Sequence, residues 1–150
     1  MKVIKVISIS TFLFLLCLIE NYLNTFISLD FGVYIFLISL LYIGIELFNQ
    51  NLVIPIFLTG ILYDSFFSTY YLGLYTSIFL AVVVFSNFLI SRYSASNVIY
   101  ISIISLCLLI YKIPIILEFD LYYWLTGYLN SIIVNSLIFF FLNRALRNNV

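Results

Sequence analysis

Charged side chains are scarce in this chain, and they punctuate long apolar runs at nearly regular intervals. Six basic and six acidic residues are the whole charged complement of 150 positions. In order they read basic at Lys2 and Lys5, then acidic at Glu20, Asp30 and Asp64. Arg92 follows, then the acids Glu118 and Asp120, and finally Arg144 and Arg147. Only Glu46 and Lys112 interrupt that alternation. A water-soluble domain needs a charged surface, and 8% charged residues cannot make one. The chain is 65% hydrophobic with a mean hydropathy of +1.25, against about 45–50% apolar residues in soluble domains. Lipid is the solvent this composition demands.

A helix needs roughly 20 mainly apolar residues to cross the hydrocarbon core, and on that measure the sequence predicts spans at about 6–23, 31–47, 52–67, 72–90, 98–117 and 122–142. The expected fold is an all-α integral membrane protein, residues 1–150 forming a single bundle of six transmembrane helices. Lysine and arginine accumulate in cytoplasmic loops, whereas acids contribute little to orientation. Lys2, Lys5, Arg92, Arg144 and Arg147 therefore predict an N-in/C-in topology. Glu20, Asp30, Asp64, Glu118 and Asp120 then face outward. The start has the lysines and apolar stretch of a signal peptide but no small-residue cleavage site, so it is read as an uncleaved first span.

Several function classes are disfavoured. The chain contains no histidine, which removes the commonest general base and metal ligand. Cys17 and Cys107 lie inside apolar runs and form no CxxC pair, so they read as small buried hydrophobes. No Walker loop, GxSxG or HExxH motif is present, and no serine has an available base. Neither an enzyme nor a cofactor or metal site is expected. A net charge of zero gives no reason to expect nucleic acid as a partner. Tyr22, Tyr70, Tyr71, Tyr122, Tyr123 and Trp124 fall near the predicted outer interface, where aromatic rings anchor spans.

Helices in lipid associate through small residues and polar contacts. Gly73, Ser77 and Ala81 share one face of span four, and Gly127, Ser131 and Asn135 share one face of span six. Both are helix seams, either within the bundle or towards a partner. Asn130 and Asn135 should point inward or to another protein. Asp64 follows Gly60 by one turn. It could be solvated at the interface, cap the start of span four, or contact a partner or ligand. Lys112, inside span five, needs a counter-charge or a route to water. Asp64, Glu118, or carbonyls freed by a bend at Pro114 could supply it, and snorkelling is the alternative.

The segment from Asn51 through Ile90 resembles the rod-shape-determining membrane protein family MreD. The resemblance rests on Gly60-x-x-x-Asp64, a short polar turn, and Leu72–Gly73 opening the next helix. Span number and a basic C-terminal tail agree with it. The chain departs from the family where Asp30–Phe31–Gly32 stands in place of a proline, and where the turn after Asp64 is aromatic. The resemblance implies a non-enzymatic scaffold of the bacterial cytoplasmic membrane. It would act in cell elongation and the control of cell shape. Its implied partners are the bitopic protein MreC, MreB filaments, and RodA with its penicillin-binding protein, for lateral peptidoglycan synthesis. The alternative is the substrate-binding subunit of an energy-coupling-factor vitamin transporter, also a small six-span bundle. That reading would use Asp64, Lys112, Glu118 and Asn130 around a sealed polar cavity on the outer side.

Overall fold

A computed structural model describes residues 3–26, 32–67, 71–93, 96–114 and 121–147. Among them every regular element is helical: α1 (Val3–Phe26), α2 (Ile35–Glu46), a 3₁₀ turn (Gln50–Leu52), α3 (Val53–Phe67), α4 (Leu74–Arg92), α5 (Asn97–Tyr111) and α6 (Leu121–Arg147). Four helical stretches are long and apolar enough to cross a membrane: Val3–Phe26, Gln50–Phe67, Leu74–Arg92 and Gly127–Leu146. Among the described residues the unbroken helices of the second and fifth predicted spans are short, with α2 holding 12 residues and α5 holding 15 before a break at Lys112. At 1.5 Å per residue these helices reach only about 18 and 22 Å, short of the roughly 30 Å hydrocarbon core.

Local chemistry explains both shortenings. α5 ends where Lys112 N–H donates to Leu108 O at 3.0 Å and the backbone leaves the helical region. The break is local, since Ile113 and Pro114 are helical again, and Pro114 has no N–H to bond back across it. α2 begins only at Ile35 because Gly32, Val33 and Tyr34 are non-helical. Backbone outside regular structure survives at membrane depth only where protein satisfies it, and side chains from α1 and α6 do so here.

α2 is the hub of the bundle. Phe36, Leu37, Ile38, Leu40 and Leu41 are completely buried, which explains why this helix is apolar on every side. It packs tightly on α4 at Gly44, where an added Cβ would collide with Ser86 Oγ and lie 2.8 Å from Val83 O. Rings from four helices meet beside it. Phe36 packs edge-on to Phe79 at 4.7 Å, Phe79 stacks on Tyr111 at 6.0 Å, and Tyr63 contacts Phe79 at 5.5 Å.

Several polar residues are buried beside this apolar core, while many large apolar side chains face outward. Ser10, Glu20, Thr59, Asp64, Thr76, Ser86, Ser131 and Asn135 are buried, whereas Phe12, Leu129, Leu137 and Phe141 are exposed. Lipid enforces this arrangement, because polar groups find partners only within the protein. Ser10 Oγ, for instance, donates to Pro55 O at 3.3 Å and so stitches α1 to α3.

Candidate functional site

Asp64 sits near the end of α3 and is directed into the bundle, only 4% exposed. Its Oδ2 accepts from Gly73 N–H at 3.0 Å, Thr76 N–H at 3.0 Å and the Thr76 hydroxyl at 2.7 Å. Its Oδ1 accepts from Tyr75 N–H at 3.0 Å. These amides open α4, where no earlier turn supplies carbonyls and the helix dipole favours an anion. Four donors converge on this one carboxylate, three on Oδ2 and one on Oδ1. Capping is therefore the role this geometry gives Asp64.

Two glycines make the cap possible. At Gly60, one turn before Asp64, an added Cβ would lie 2.5 Å from Thr76 Cα, so only glycine lets α4 begin this close to α3. Gly73 is the residue before α4 and adopts φ +100°, a left-handed conformation that side chains disfavour. Gly60, Asp64 and Gly73 thus form one joint between consecutive helices.

A second buried carboxylate repeats the device at α2. Sequence reading places Glu20 at the outer end of the first span, and there it is 4% exposed and turned into the bundle. Its Oε2 accepts from Phe36 N–H at 2.7 Å, and its Oε1 from the Tyr111 hydroxyl at 2.6 Å. The residues ahead of α2 are held in the same way. Asn135 accepts from Tyr34 N–H at 2.8 Å and donates to Gly32 O at 3.1 Å and Ser131 O at 2.7 Å. Asn24 accepts from Val33 N–H and donates to Val33 O, at 3.0 and 3.2 Å. An acid inside an apolar run was the available sequence signal for Glu20, since such a group requires buried partners.

Lys112 is buried, and its ammonium lies 4.9 Å from the centre of the Tyr34 ring. Tyr34 packs edge-on to Tyr111 at 5.7 Å. The expected ion pair with Asp64 does not form, and the ring face serves as the cation's partner. Glu118, the other expected counter-charge, lies outside the described residues, as do Asp30 and Asp120.

The two predicted seams separate. On α6, Ser131 and Asn135 are fully buried and Gly127 is half-buried. On α4, Ser77 and Ala81 are exposed, because the inward face is taken by Thr76, Phe79, Val83 and Ser86. Asn130 is exposed as well. Tyr22 and Tyr71 are exposed, as ring anchors at an interface would be. Among the described residues no group of three His, Cys, Asp or Glu is placed to share a metal ion. An open cleft of about 560 Å³ separates the ends of α1 and α3, lined by Asn21, Tyr22, Thr25, Phe26, Tyr63 and Phe67 among others.

No family model, curated protein or solved structure matches this chain. What it does must therefore be argued from its own residues. Their arrangement is a set of hydrogen-bonded internal joints, with small residues of α4 left on the outside.

Proposed function

We propose that the chain is a non-enzymatic scaffold subunit of the bacterial cell-elongation machinery, of the MreD kind. In this reading it lies in the cytoplasmic membrane as six spans with both termini inside. It joins an MreC-like bitopic protein, and through it MreB filaments, to RodA and its penicillin-binding protein. α2 and α5 cross as shortened spans, α2 being enclosed by other helices rather than by lipid.

One observation carries the reading. Gly60, Asp64 and Gly73, on which the resemblance rests, act together as a single helix joint. A motif with that role belongs to a rigid bundle rather than to a ligand site. The exposed Ser77 and Ala81 then mark where a partner helix approaches, since small residues permit close backbone contact in lipid.

Isolation of a tagged copy from native membranes in mild detergent, followed by mass spectrometry, tests the proposal. Recovery of an MreC-like protein with the elongation synthase is the expected result. Recovery of an ATPase pair with a coupling subunit would replace it with the transporter reading.

A further inference from the structure

Asn130 is exposed on α6, although it lies inside the stretch Gly127–Leu146 that is long and apolar enough to cross a membrane. Among the described residues its amide has no hydrogen-bond partner. The next polar residues of the helix behave differently. Ser131 and Asn135 point into the bundle, and Asn135 bonds to Tyr34 and Gly32.

Depth makes the free amide costly. Arg144 is exposed in the last turn of α6, and a guanidinium stays at the headgroup layer. The hydrocarbon core takes about 20 helical residues, which from Arg144 reach back to Trp124. Asn130 stands a further six residues inward, or about 9 Å at 1.5 Å per residue. So short a side chain cannot reach water over that distance. Lipid offers it no partner, so the partner must come from another helix.

The rest of this face has the spacing of a helix seam. Ile133, Leu137 and Phe141 follow Asn130 at intervals of three or four residues, and each is more than half exposed. An average repeat of 3.5 residues lets two helices stay in contact along their length. α6 packs on α2 and α5 through its opposite side, where Ser131, Asn135 and Phe139 are buried.

The amide also selects the occupant. Asparagine carries donors and an acceptor together, so it is complementary to itself. Copies of one chain insert in one orientation, and a two-fold axis along the membrane normal brings equal depths together. A second copy therefore presents the required amide at the required level, which no unrelated helix is bound to do.

We propose that two copies of this chain pair through the outward face of α6, with Asn130 of each donating Nδ2–H to Oδ1 of the other. Ile133, Leu137 and Phe141 form the rest of the contact. Arg144 ends it at the membrane surface, where long side chains swing apart to lipid phosphates. The interface uses none of the α4 positions assigned to a partner helix, so it stands apart from the scaffold reading.

The test uses the full chain, labelled with donor and acceptor dyes and reconstituted in phosphatidylglycerol–phosphatidylethanolamine vesicles over a series of lipid dilutions. Energy transfer should follow a monomer–dimer equilibrium. Asn130→Leu should raise the dissociation constant about tenfold, the scale of interhelical hydrogen bonds in lipid. Asn130→Gln keeps an amide and should retain most of the affinity. Both substitutions fall on an exposed position, so the interior of the bundle is untouched. In native membrane vesicles, Leu137→Cys should form an intermolecular disulfide under mild oxidation. Leu62→Cys, on the exposed side of α3, should not. Cys17 and Cys107 are buried and give no background. Monomers at every dilution, or equal dimer affinity of Asn130→Leu and the unmodified chain, would overturn the pairing. Absence of self-pairing with loss of another co-isolated membrane protein from Asn130→Leu would assign the face to an unrelated helix instead.

Discussion

The Tyr111 hydroxyl donates to Glu20 Oε1 at 2.6 Å, joining α1 to α5 across 91 positions of sequence. The same carboxylate caps Phe36 N–H, so three helices meet at one acid. Removing the phenol leaves a buried carboxylate oxygen without that donor. Tyr111→Phe should lower stability by about 1–3 kcal/mol. Thermal unfolding of the detergent-solubilised protein reads this out, and an unchanged midpoint would show that Tyr111 acts only through its ring.

Asp64→Ala leaves the opening amides of α4 and the Thr76 hydroxyl unpaired, and should cost about 1–3 kcal/mol. Asp64→Asn keeps one acceptor oxygen and should cost less. Neither variant should prevent membrane insertion, because the apolar runs that drive insertion are untouched. Partner recovery should fall with Asp64→Ala only as far as stability does. A large loss of partner at unchanged stability would show that Asp64 reaches beyond the bundle.

Gly60→Ala drives a methyl group against the backbone of Thr76. A main-chain neighbour cannot rotate aside, so α3 and α4 must separate, at a cost of about 1–3 kcal/mol. The separation should also lengthen the Asp64 hydrogen bonds. Faster amide hydrogen exchange at Tyr75 and Thr76 is the expected signature, and unchanged exchange at both would place the strain elsewhere.

Lys112 and Tyr34 should be energetically coupled through the ring face. A double-mutant cycle with Lys112→Met and Tyr34→Leu should give a coupling of about 0.5–2 kcal/mol. Tyr34→Phe keeps a ring face and should preserve most of it. A coupling near zero would mean that the ammonium is held by something other than the ring.

Ala81→Leu changes an outward position of α4. Stability should remain within about 0.5 kcal/mol, as for most surface substitutions, while recovery of the partner drops severalfold in co-isolation. Full recovery would move the docking face away from α4.

Long apolar runs between sparse charges, and a composition unsuited to water, made a helical membrane protein legible in the sequence. α1, α3, α4 and α6 fall close to their predicted bounds for that reason. The joint at Gly60, Asp64 and Gly73 was also legible in outline, because it is local: a carboxylate a few residues ahead of a helix start has amides within reach. What the sequence could not supply was the inward direction of each helix. In lipid the outside of a helix is as apolar as its core, so hydrophobic periodicity carries little orientation. Thr76 and Ser86 turned inward while Ser77 and Ala81 turned outward, although all four are small. The partners of Glu20 and Lys112 were equally hidden. Phe36, Tyr111 and Tyr34 reach them only once α1, α2 and α5 have packed, and no pattern along the chain encodes that meeting. The sequence determined the solvent and the helices, because burying backbone in lipid leaves little other choice. Tertiary packing alone decided which polar groups found each other.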